Sequence, residues 1–182
     1  MGEKVFPCCL FLILVLLVRL VLAAEGGEGD LFSKMRINPI KGDKKAPDFS
    51  LKDLTGKKVE IKDYKGKIIF LNFWATWCVP CKEEMPSLEV LHERFKGEKF
   101  VLLTVSVDYE GLKVVHGFLD KHSYTFPVLL DPNGETLDLF EVKGIPTTFI
   151  IDKKGRIIGR ALGPRDWRSP EVFSLVNLLV GK

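Results

Sequence analysis

The chain has 182 residues, a length that suits one ordinary domain and a targeting segment. Its hydrophobic content of 46% and charged content of 28% are typical of a soluble globular protein. The formal net charge is +3 and no long basic run occurs, so nucleic-acid binding is not indicated.

The N-terminus carries a long apolar run. Residues 5–24 contain Arg19 as their only charged residue, end in Ala23 and Ala24, and precede an abruptly polar stretch. This pattern predicts a secretory signal peptide. An uncleaved membrane anchor is the alternative, because a run of this length is just sufficient to span a bilayer. Either interpretation of residues 1–24 places the remaining chain outside the cytoplasm, in the periplasm or on the outer face of the cytoplasmic membrane.

The region after this run divides into a linker and one domain. Residues 25–45 are rich in Gly, Lys, Asp and Glu, which is typical of a linker, although Leu31, Phe32 and Met35 could pack locally. A regular pattern then covers 46–182. Strands are expected at 49–51, 59–61, 68–74, 100–107, 128–130, 147–151 and 156–162. Helices are expected at 79–95, 112–121, 136–140 and 170–180. Alternating strands and helices that end in a hairpin and a helix predict an α/β fold with a mixed sheet.

A pair of cysteines carries the strongest functional signal. Cys78 and Cys81 lie between an apolar run, expected as a buried strand, and the start of the helix 79–95. A cysteine at a helix N-terminus faces unpaired N–H groups and the positive end of the macrodipole, which favour the nucleophilic thiolate. The second cysteine follows about one turn later, so the two sulfurs can meet. Strand, CxxC and helix in this order predict a redox-active pair.

Three other uses of two closely spaced cysteines fit less well. A structural zinc site needs two more Cys or His ligands at short spacing, and only His92, His116 and His122 follow. A c-type haem site needs histidine after the second cysteine, where Lys82 stands. A structural disulfide would gain little from closing so short a loop. The other two of the four cysteines lie within the run 5–24, which leaves this pair alone in the predicted exported domain.

Three segments carry a family resemblance, namely 46–49, 73–86 around the cysteines, and 144–149, which reads Gly-Ile-Pro-Thr-Thr-Phe. Together they resemble the thioredoxin superfamily, and within it the TlpA/ResA-like exported thiol–disulfide oxidoreductases. The resemblance covers about residues 46–180. It implies a thioredoxin fold, that is, a central mixed sheet flanked by helices, with an added N-terminal β-hairpin and an insertion of strand and helix material before Pro146.

The resemblance also implies roles for the cysteines and for a proline. Cys78, exposed at the helix tip, would be the attacking thiol, and Cys81 would resolve the mixed disulfide. Pro146 matches the family's cis-proline, which lies opposite the disulfide and turns the backbone of Ile145 and Thr147 toward a protein substrate.

Three residues around the attacking cysteine complete the expected substrate-binding surface. Trp77 would supply apolar docking area, and the Val79-Pro80 dipeptide between the cysteines would tune the thiolate. Trp74, by contrast, is expected in the core, as are most aromatic residues of a buried strand.

Two further positions bear on proton transfer. Asn72 stands where thioredoxins carry a buried aspartate; it cannot act as an acid but can form hydrogen bonds. Glu84 matches an acidic residue that the ResA-like branch uses near its disulfide, and it lies about 60° around the helix from Cys81. Glu84 is therefore a candidate for tuning Cys81 or relaying its proton. The alternative is a first-turn carboxylate favoured by the helix dipole, which is the interpretation we prefer for Glu83.

The predicted reaction is dithiol–disulfide exchange with a protein partner through a Cys78 mixed disulfide. The resemblance suggests a reductant outside the cytoplasm, in cytochrome c maturation or in keeping metal-site cysteines reduced, with electrons from a membrane partner. Membrane association would run through residues 5–24. No cofactor and no metal ion are expected.

Two alternatives come from other classes of protein. A peroxiredoxin-like peroxidase shares the early hairpin and the fold, but its peroxidatic cysteine lacks a second cysteine separated from it by two residues, so Pro80 and Cys81 argue against it. A copper-delivery protein would need His116 or His122 to reach the cysteines, and known carriers of that kind have three residues between their cysteines, where this chain has two.

Overall fold

The computed structural model describes residues 27–181. The strands are β1 Asn38–Pro39, β2 Ser50–Asp53, β3 Lys58–Glu60, β4 Ile68–Trp74, β5 Phe100–Ser106, β6 Val128–Leu130, β7 Thr147–Ile151 and β8 Ile157–Leu162. The helices are α1 at 27–34, α2 Val79–Phe95, α3 Leu112–Leu119, α4 Glu135–Leu139 and α5 Pro170–Gly181, and a 3₁₀ helix spans Ile61–Tyr64. None of these helices has both the length and the hydrophobicity needed to cross a membrane. The predicted signal peptide or anchor, residues 1–24, lies outside the described residues.

The eight strands form one mixed sheet in the order β1-β8-β7-β4-β5-β6-β2-β3. Strands β4, β5 and β6 run parallel to one another, and all other neighbours pair antiparallel. The α/β fold with a mixed sheet that the sequence predicts is confirmed. The expected N-terminal hairpin is β2–β3, and strand and helix material lies between α2 and β7, as expected.

Strand β4 lies at the centre of the sheet and is buried along its whole length. Its apolar side chains alternate between two cores, as a strand covered on both faces requires. Ile68, Phe70 and Trp74 pack with the buried faces of α2 and α5, whereas Ile69, Leu71 and Phe73 pack into the opposite core. The expectation that Trp74 belongs to the core is therefore confirmed.

Helix α2 begins shortly beyond the end of β4. Cys78 is its N-cap residue, and Pro80 lies in the first turn, where a missing N–H costs no helical hydrogen bond. The helix continues through Pro86 to Phe95. Its buried face packs on the sheet through Met85, Leu88, Leu91 and Phe95. This packing fixes the first turn of α2 above the C-terminal end of β4.

The N-terminal segment differs from the prediction. We expected a linker over 25–45, but residues 27–34 are helical and β1 pairs with β8. Phe32, Met35 and Ile37 are buried in the core that also holds α2 and α5. The linker interpretation is wrong for this part, because closely spaced apolar side chains that share one core outweigh a polar average composition.

A glycine on β8 lets this segment lie close to the sheet. Gly159 pairs with Pro39 of β1. A Cβ atom at Gly159 would lie 2.9 Å from Ile37 Cγ2 and 3.1 Å from Phe32 Cε2, both shorter than the optimal separation of two carbon atoms. The missing side chain therefore makes room for the two apolar residues of the N-terminal segment.

Gly159→Ala should destabilise the protein by about 1–3 kcal/mol, because the added methyl group overpacks the contact with Ile37 and Phe32. Gly117→Ala is the matched control, since a Cβ atom at Gly117 in α3 meets nothing within 4 Å. Alanine there should be neutral or stabilising by up to about 1 kcal/mol. Urea unfolding measures both variants. An unchanged free energy of unfolding in Gly159→Ala would show that the N-terminal segment does not belong to the cooperative fold.

Candidate active site

The cysteine pair lies where β4 leads into α2. Cys78 and Cys81 form a disulfide, with Sγ atoms 2.07 Å apart. The Cys81 N–H, one of the donors that a helix leaves unpaired in its first turn, donates to Cys78 Sγ at 3.3 Å. A donor at this position is suited to a thiolate, because a hydrogen bond to the charged form favours that form.

The two cysteines differ in how far solvent reaches them. Cys78 is 5% exposed and Cys81 is fully buried. We expected Cys78 to be exposed at the helix tip, but the residue is almost completely covered. The facing backbone covers the residue, with Ile145 O only 3.8 Å from Cys78 Sγ. Of the two residues, Cys78 is nevertheless the one that keeps an opening to solvent.

The Ile145–Pro146 peptide bond faces the disulfide and is cis, as the resemblance implied. Pro146 O accepts a hydrogen bond from the Gly163 N–H at 2.9 Å, which ties this turn to the end of β8. Thr147 is buried, and its hydroxyl donates to a backbone carbonyl of the preceding turn at 2.6 Å. The structure thus brings Ile145 next to Cys78 Sγ and places Thr147 in the sheet behind it.

An exposed apolar surface borders the cysteines. Trp77 is 62% exposed and Val79 is 59% exposed, whereas Pro80 is half-buried. Tyr109 follows β5 and is 77% exposed; sequence reasoning did not select it. Large exposed apolar side chains that cluster beside a reactive group indicate an interaction surface.

A buried carboxylate holds this surface together. Asp108 is 3% exposed and accepts hydrogen bonds from the Thr76 N–H at 3.0 Å and the Thr76 hydroxyl at 2.6 Å. It also accepts one from Ser106 Oγ at 2.8 Å. Because Trp77 and Tyr109 directly follow Thr76 and Asp108, this contact brings the two exposed rings to the same edge of the sheet. Sequence reasoning missed Asp108, although an acid directly after a buried strand is a recognisable signal.

Polar side chains form a buried row across the sheet beside α2. Asn72 pairs with Thr104 of β5 and with Thr148 of β7, so the three side chains share one face. Asn72 Nδ2 donates to Thr148 Oγ1 at 2.9 Å and to Glu84 Oε1 at 2.8 Å. The prediction that Asn72 forms hydrogen bonds is confirmed, and one partner is the carboxylate three residues after Cys81.

Glu84 is a buried carboxylate, only 2% exposed. Its Oε2 accepts hydrogen bonds from Trp167 Nε1 at 3.0 Å and from the Arg165 N–H at 3.2 Å. Burial raises the pKa of Glu84, and the hydrogen bonds from Trp167, Asn72 and Arg165 offset part of this rise. Glu84 is therefore not a solvent-facing carboxylate of the first turn, whereas its neighbour Glu83 is exposed.

The two donors to Glu84 from the end of the chain were missed at the sequence level. Arg165 and Trp167 lie 81 and 83 residues from Glu84, in the loop between β8 and α5. Trp167 is fully buried, and its ring packs edge-on against Phe70 of β4. No periodicity or spacing connects such distant positions, so only the folded chain reveals them.

The histidines required by the copper alternative are engaged elsewhere. His116 Nδ1 lies 2.9 Å from Asp120 Oδ2, and His122 Nδ1 lies 2.8 Å from Phe118 O. Between residues 27 and 181, no three Cys, His, Asp or Glu side chains are grouped so that they could hold a metal ion.

One protein-family model matches the chain over residues 43–160, and its description is the AhpC/TSA family. The match covers more than half of the chain. It includes both cysteines and Pro146, and it extends from just before the β2–β3 hairpin into β8.

Curated relatives of the chain are named for thiol–disulfide exchange or for likeness to thioredoxin. The thiol–disulfide oxidoreductase ResA of Bacillus thuringiensis subsp. konkukian is 41% identical over 120 residues, which are 66% of this chain and 69% of the relative. The thioredoxin-like protein YneN of Bacillus subtilis is 40% identical over 147 residues, which are 79% of this chain and 84% of the relative.

Solved structures show the same fold. A Chlorobium tepidum protein described as the thiol:disulfide interchange protein DsbE has a TM-score of 0.71 at 32% identity, covering 78% of this chain and 99% of that one. StoA of Bacillus subtilis has a TM-score of 0.61 at 29% identity, covering 73% and 96%. The thioredoxin fold is thereby confirmed, and the chain belongs to the AhpC/TSA family and, within it, to the thiol–disulfide oxidoreductases of the ResA type.

Proposed function

We propose that this protein reduces disulfides of protein partners outside the cytoplasm. The observation that carries the proposal is the asymmetry of the pair, because Cys78 keeps an opening beside Ile145 and Pro146 whereas Cys81 is buried. An exchange enzyme needs this arrangement, since one sulfur must meet the client and the other must stay back to resolve the mixed disulfide. The names of the ResA relatives support the exchange reaction.

The reaction starts from the reduced pair. The Cys78 thiolate attacks one sulfur of the client disulfide, forms a mixed disulfide, and releases the other client sulfur as a thiolate that takes up a proton. The Cys81 thiolate then attacks Cys78 Sγ and releases the second client sulfur. Two electrons have passed to the client, whose cysteines end as thiols, and the Cys78–Cys81 disulfide has formed.

The client is proposed to bind on the apolar surface around Cys78. Trp77, Val79 and Pro80 surround the start of α2, and the Ile145–Pro146 turn faces them. Aromatic and aliphatic surface of this kind contributes binding area without selecting a charge pattern. Thr147 is assigned a supporting role, because it is buried behind the turn.

Glu84 is proposed to exchange a proton with Cys81. The two residues are three apart on α2, a spacing at which helical side chains are neighbours. The raised pKa of Glu84 brings its titration closer to neutral pH, where a proton acceptor for a thiol is most effective. Its burial keeps bulk water from replacing it in this role.

Location and electron supply are proposed from the N-terminal run. The apolar residues 5–24 support export, followed by cleavage or by retention as an anchor. A reductant in an oxidising compartment needs a continuous supply of electrons, so the donor is proposed to be a membrane protein. The proposed clients are exported proteins whose cysteines must be reduced before they bind haem, as in cytochrome c maturation, or a metal ion.

Neither alternative function is favoured by an observation on residues 27–181. A peroxidatic cysteine has no second cysteine three residues later, whereas Cys78 is bonded to Cys81. The histidines needed for copper delivery, His116 and His122, contact groups in and just after α3. Turnover of hydrogen peroxide, or copper binding that depends on these histidines, would reverse this ranking.

Cys81→Ser should trap a mixed disulfide between Cys78 and a client, because the sulfur that resolves the bond is gone. Cys78→Ser should trap none, since the remaining sulfur is buried. Both variants should reduce a model protein disulfide no faster than the uncatalysed reaction. Non-reducing electrophoresis with mass spectrometry identifies the adduct. Equal trapping by the two variants would contradict the assignment of Cys78 as the attacking thiol.

The midpoint potential of the pair should be about −230 mV or lower, the range of thioredoxins and the more reducing glutaredoxins. Thiol trapping across a series of redox buffers measures it. A value near about −120 mV, that of a strong oxidant, would mean that the proposed direction is reversed. If no Cys78–Cys81 disulfide formed at any potential, the exchange reaction itself would be refuted.

Glu84→Gln should change how stability depends on pH. Burial raises the pKa of Glu84 in the folded state. The contribution of Glu84 to the free energy of unfolding is therefore fully present below its unfolded pKa of about 4.3. It is lost as pH rises through the folded pKa. Glutamine does not titrate, so Glu84→Gln does not lose this contribution. As pH rises, the free energy of unfolding of the wild type should therefore fall relative to that of Glu84→Gln. Urea unfolding at several pH values tests this, with the exposed neighbour Glu83→Gln as control. A difference between wild type and Glu84→Gln that stays constant with pH would contradict the prediction.

A further inference from the structure

Arg165 is a half-buried cation whose guanidinium is surrounded by backbone carbonyls. Nε donates to Met35 O at 3.0 Å, and Nη2 donates to Arg36 O at 2.7 Å. Nη1 donates to Leu162 O at 3.0 Å and to Gly163 O at 2.7 Å. One side chain therefore joins two parts of the chain, the end of α1 and the end of β8, that are more than a hundred residues apart in sequence.

The carbonyls at the end of α1 are available because of how that helix ends. Arg36 has a φ of 51°, and the N–H groups of Arg36 and Ile37 return to the carbonyls of Ser33 and Phe32. This is the pattern of a Schellman motif, which closes the helix with a residue in the left-handed conformation. The Met35 and Arg36 carbonyls lie at the negative end of the helix, where a cation is stabilised.

The backbone of the same arginine contacts the carboxylate in the site. The Arg165 N–H donates to Glu84 Oε2 at 3.2 Å, and Trp167 Nε1 donates to the same oxygen at 3.0 Å. The Trp167 N–H donates to Ser87 Oγ at 3.0 Å, which in turn donates to Glu84 O at 2.7 Å. The loop 163–168 is thus attached to α2 by a set of hydrogen bonds centred on Glu84.

We propose that Arg165 is a positioning residue for the redox reaction. By clamping the end of α1 to the loop 163–168, it holds the two donors of that loop on Glu84 and so sets the pH at which Glu84 influences Cys78 and Cys81. This inference rests on the proposed role of Glu84. It connects the N-terminal segment to the site through the hydrogen bonds of Arg165 with Met35 O and Arg36 O.

Among residues 27–181, few charged or titratable groups face Glu84. On its own helix the titratable neighbour is Cys81, and the loop contributes the positive charge of Arg165, with Arg36 next to it. The groups that the sheet and the loop turn toward it, Asn72 and Trp167, are neutral. Loss of the clamp removes a positive charge and loosens two donors, and both changes favour protonated Glu84.

The test is the pH profile of Cys78 alkylation by iodoacetamide in the fully reduced protein. Wild type should show an inflection from Glu84 that Glu84→Gln abolishes. Arg165→Ala should shift this inflection to higher pH, and Arg165→Lys should give a smaller shift, because one ammonium keeps the charge but cannot reach the carbonyls of both segments. Arg168→Ala is the matched control: it removes the same charge from the same loop, but Arg168 is exposed and pairs with Asp166.

A second set of measurements places each variant in the Glu84→Gln background. There, Arg165→Ala should no longer change the profile. The role of Arg165 would be overturned if neither Arg165→Ala nor Arg165→Lys shifted the inflection. It would also be overturned if Arg165→Ala shifted the alkylation profile equally in the Glu84→Gln background. Both outcomes would leave the role of Glu84 in place. If Glu84→Gln itself left the profile unchanged, the role of Glu84 would be refuted and this inference with it. Circular dichroism verifies that each variant is folded, and Arg165→Lys keeps the test decisive if Arg165→Ala does not fold.

Discussion

The packing of β4 on both of its faces is the constraint on which the site depends. Six of its seven side chains are apolar and fully enclosed, and burying each large one stabilises the fold by roughly 1.5–3 kcal/mol. A strand held in this way cannot slide without moving its apolar side chains out of both cores. The end of the strand is therefore a fixed point. The position of Cys78 depends on the end of this strand, because the first turn of α2, with its unpaired N–H groups, begins shortly after it.

The remaining side chain of β4, that of Asn72, is polar and belongs to the candidate site. Asn72 is fully buried, and its Oδ1 has no hydrogen-bond partner among residues 27–181. A buried polar atom without a partner destabilises a fold, so packing alone would favour an apolar residue there. What Asn72 does provide is a donor to Glu84. The polar row thus connects the sheet to the one carboxylate on the buried face of α2, at some expense of core stability.

The sequence allowed the central sheet and the cysteine pair to be predicted because both depend on neighbouring residues. A continuous apolar run specifies β4, and the CxxC spacing on a helix start specifies the pair. The N-terminal segment was misinterpreted because only Phe32, Met35 and Ile37 reveal its contact with the sheet within a polar stretch. Arg165 and Trp167 could not be found in this way, because their contacts with Glu84 are fixed by the folded topology rather than by sequence spacing.

Within residues 27–181, the order of the strands also leaves the sheet with two edge strands. One edge is β1, which is two residues long and contains Pro39, a residue without an N–H to donate. The other is β3, which is three residues long and carries Lys58 and Glu60. Short, charged or proline-containing edges oppose the addition of a further strand. A protein that exchanges disulfides with other proteins can therefore contact them at the start of α2 without its own sheet becoming a template for strand addition.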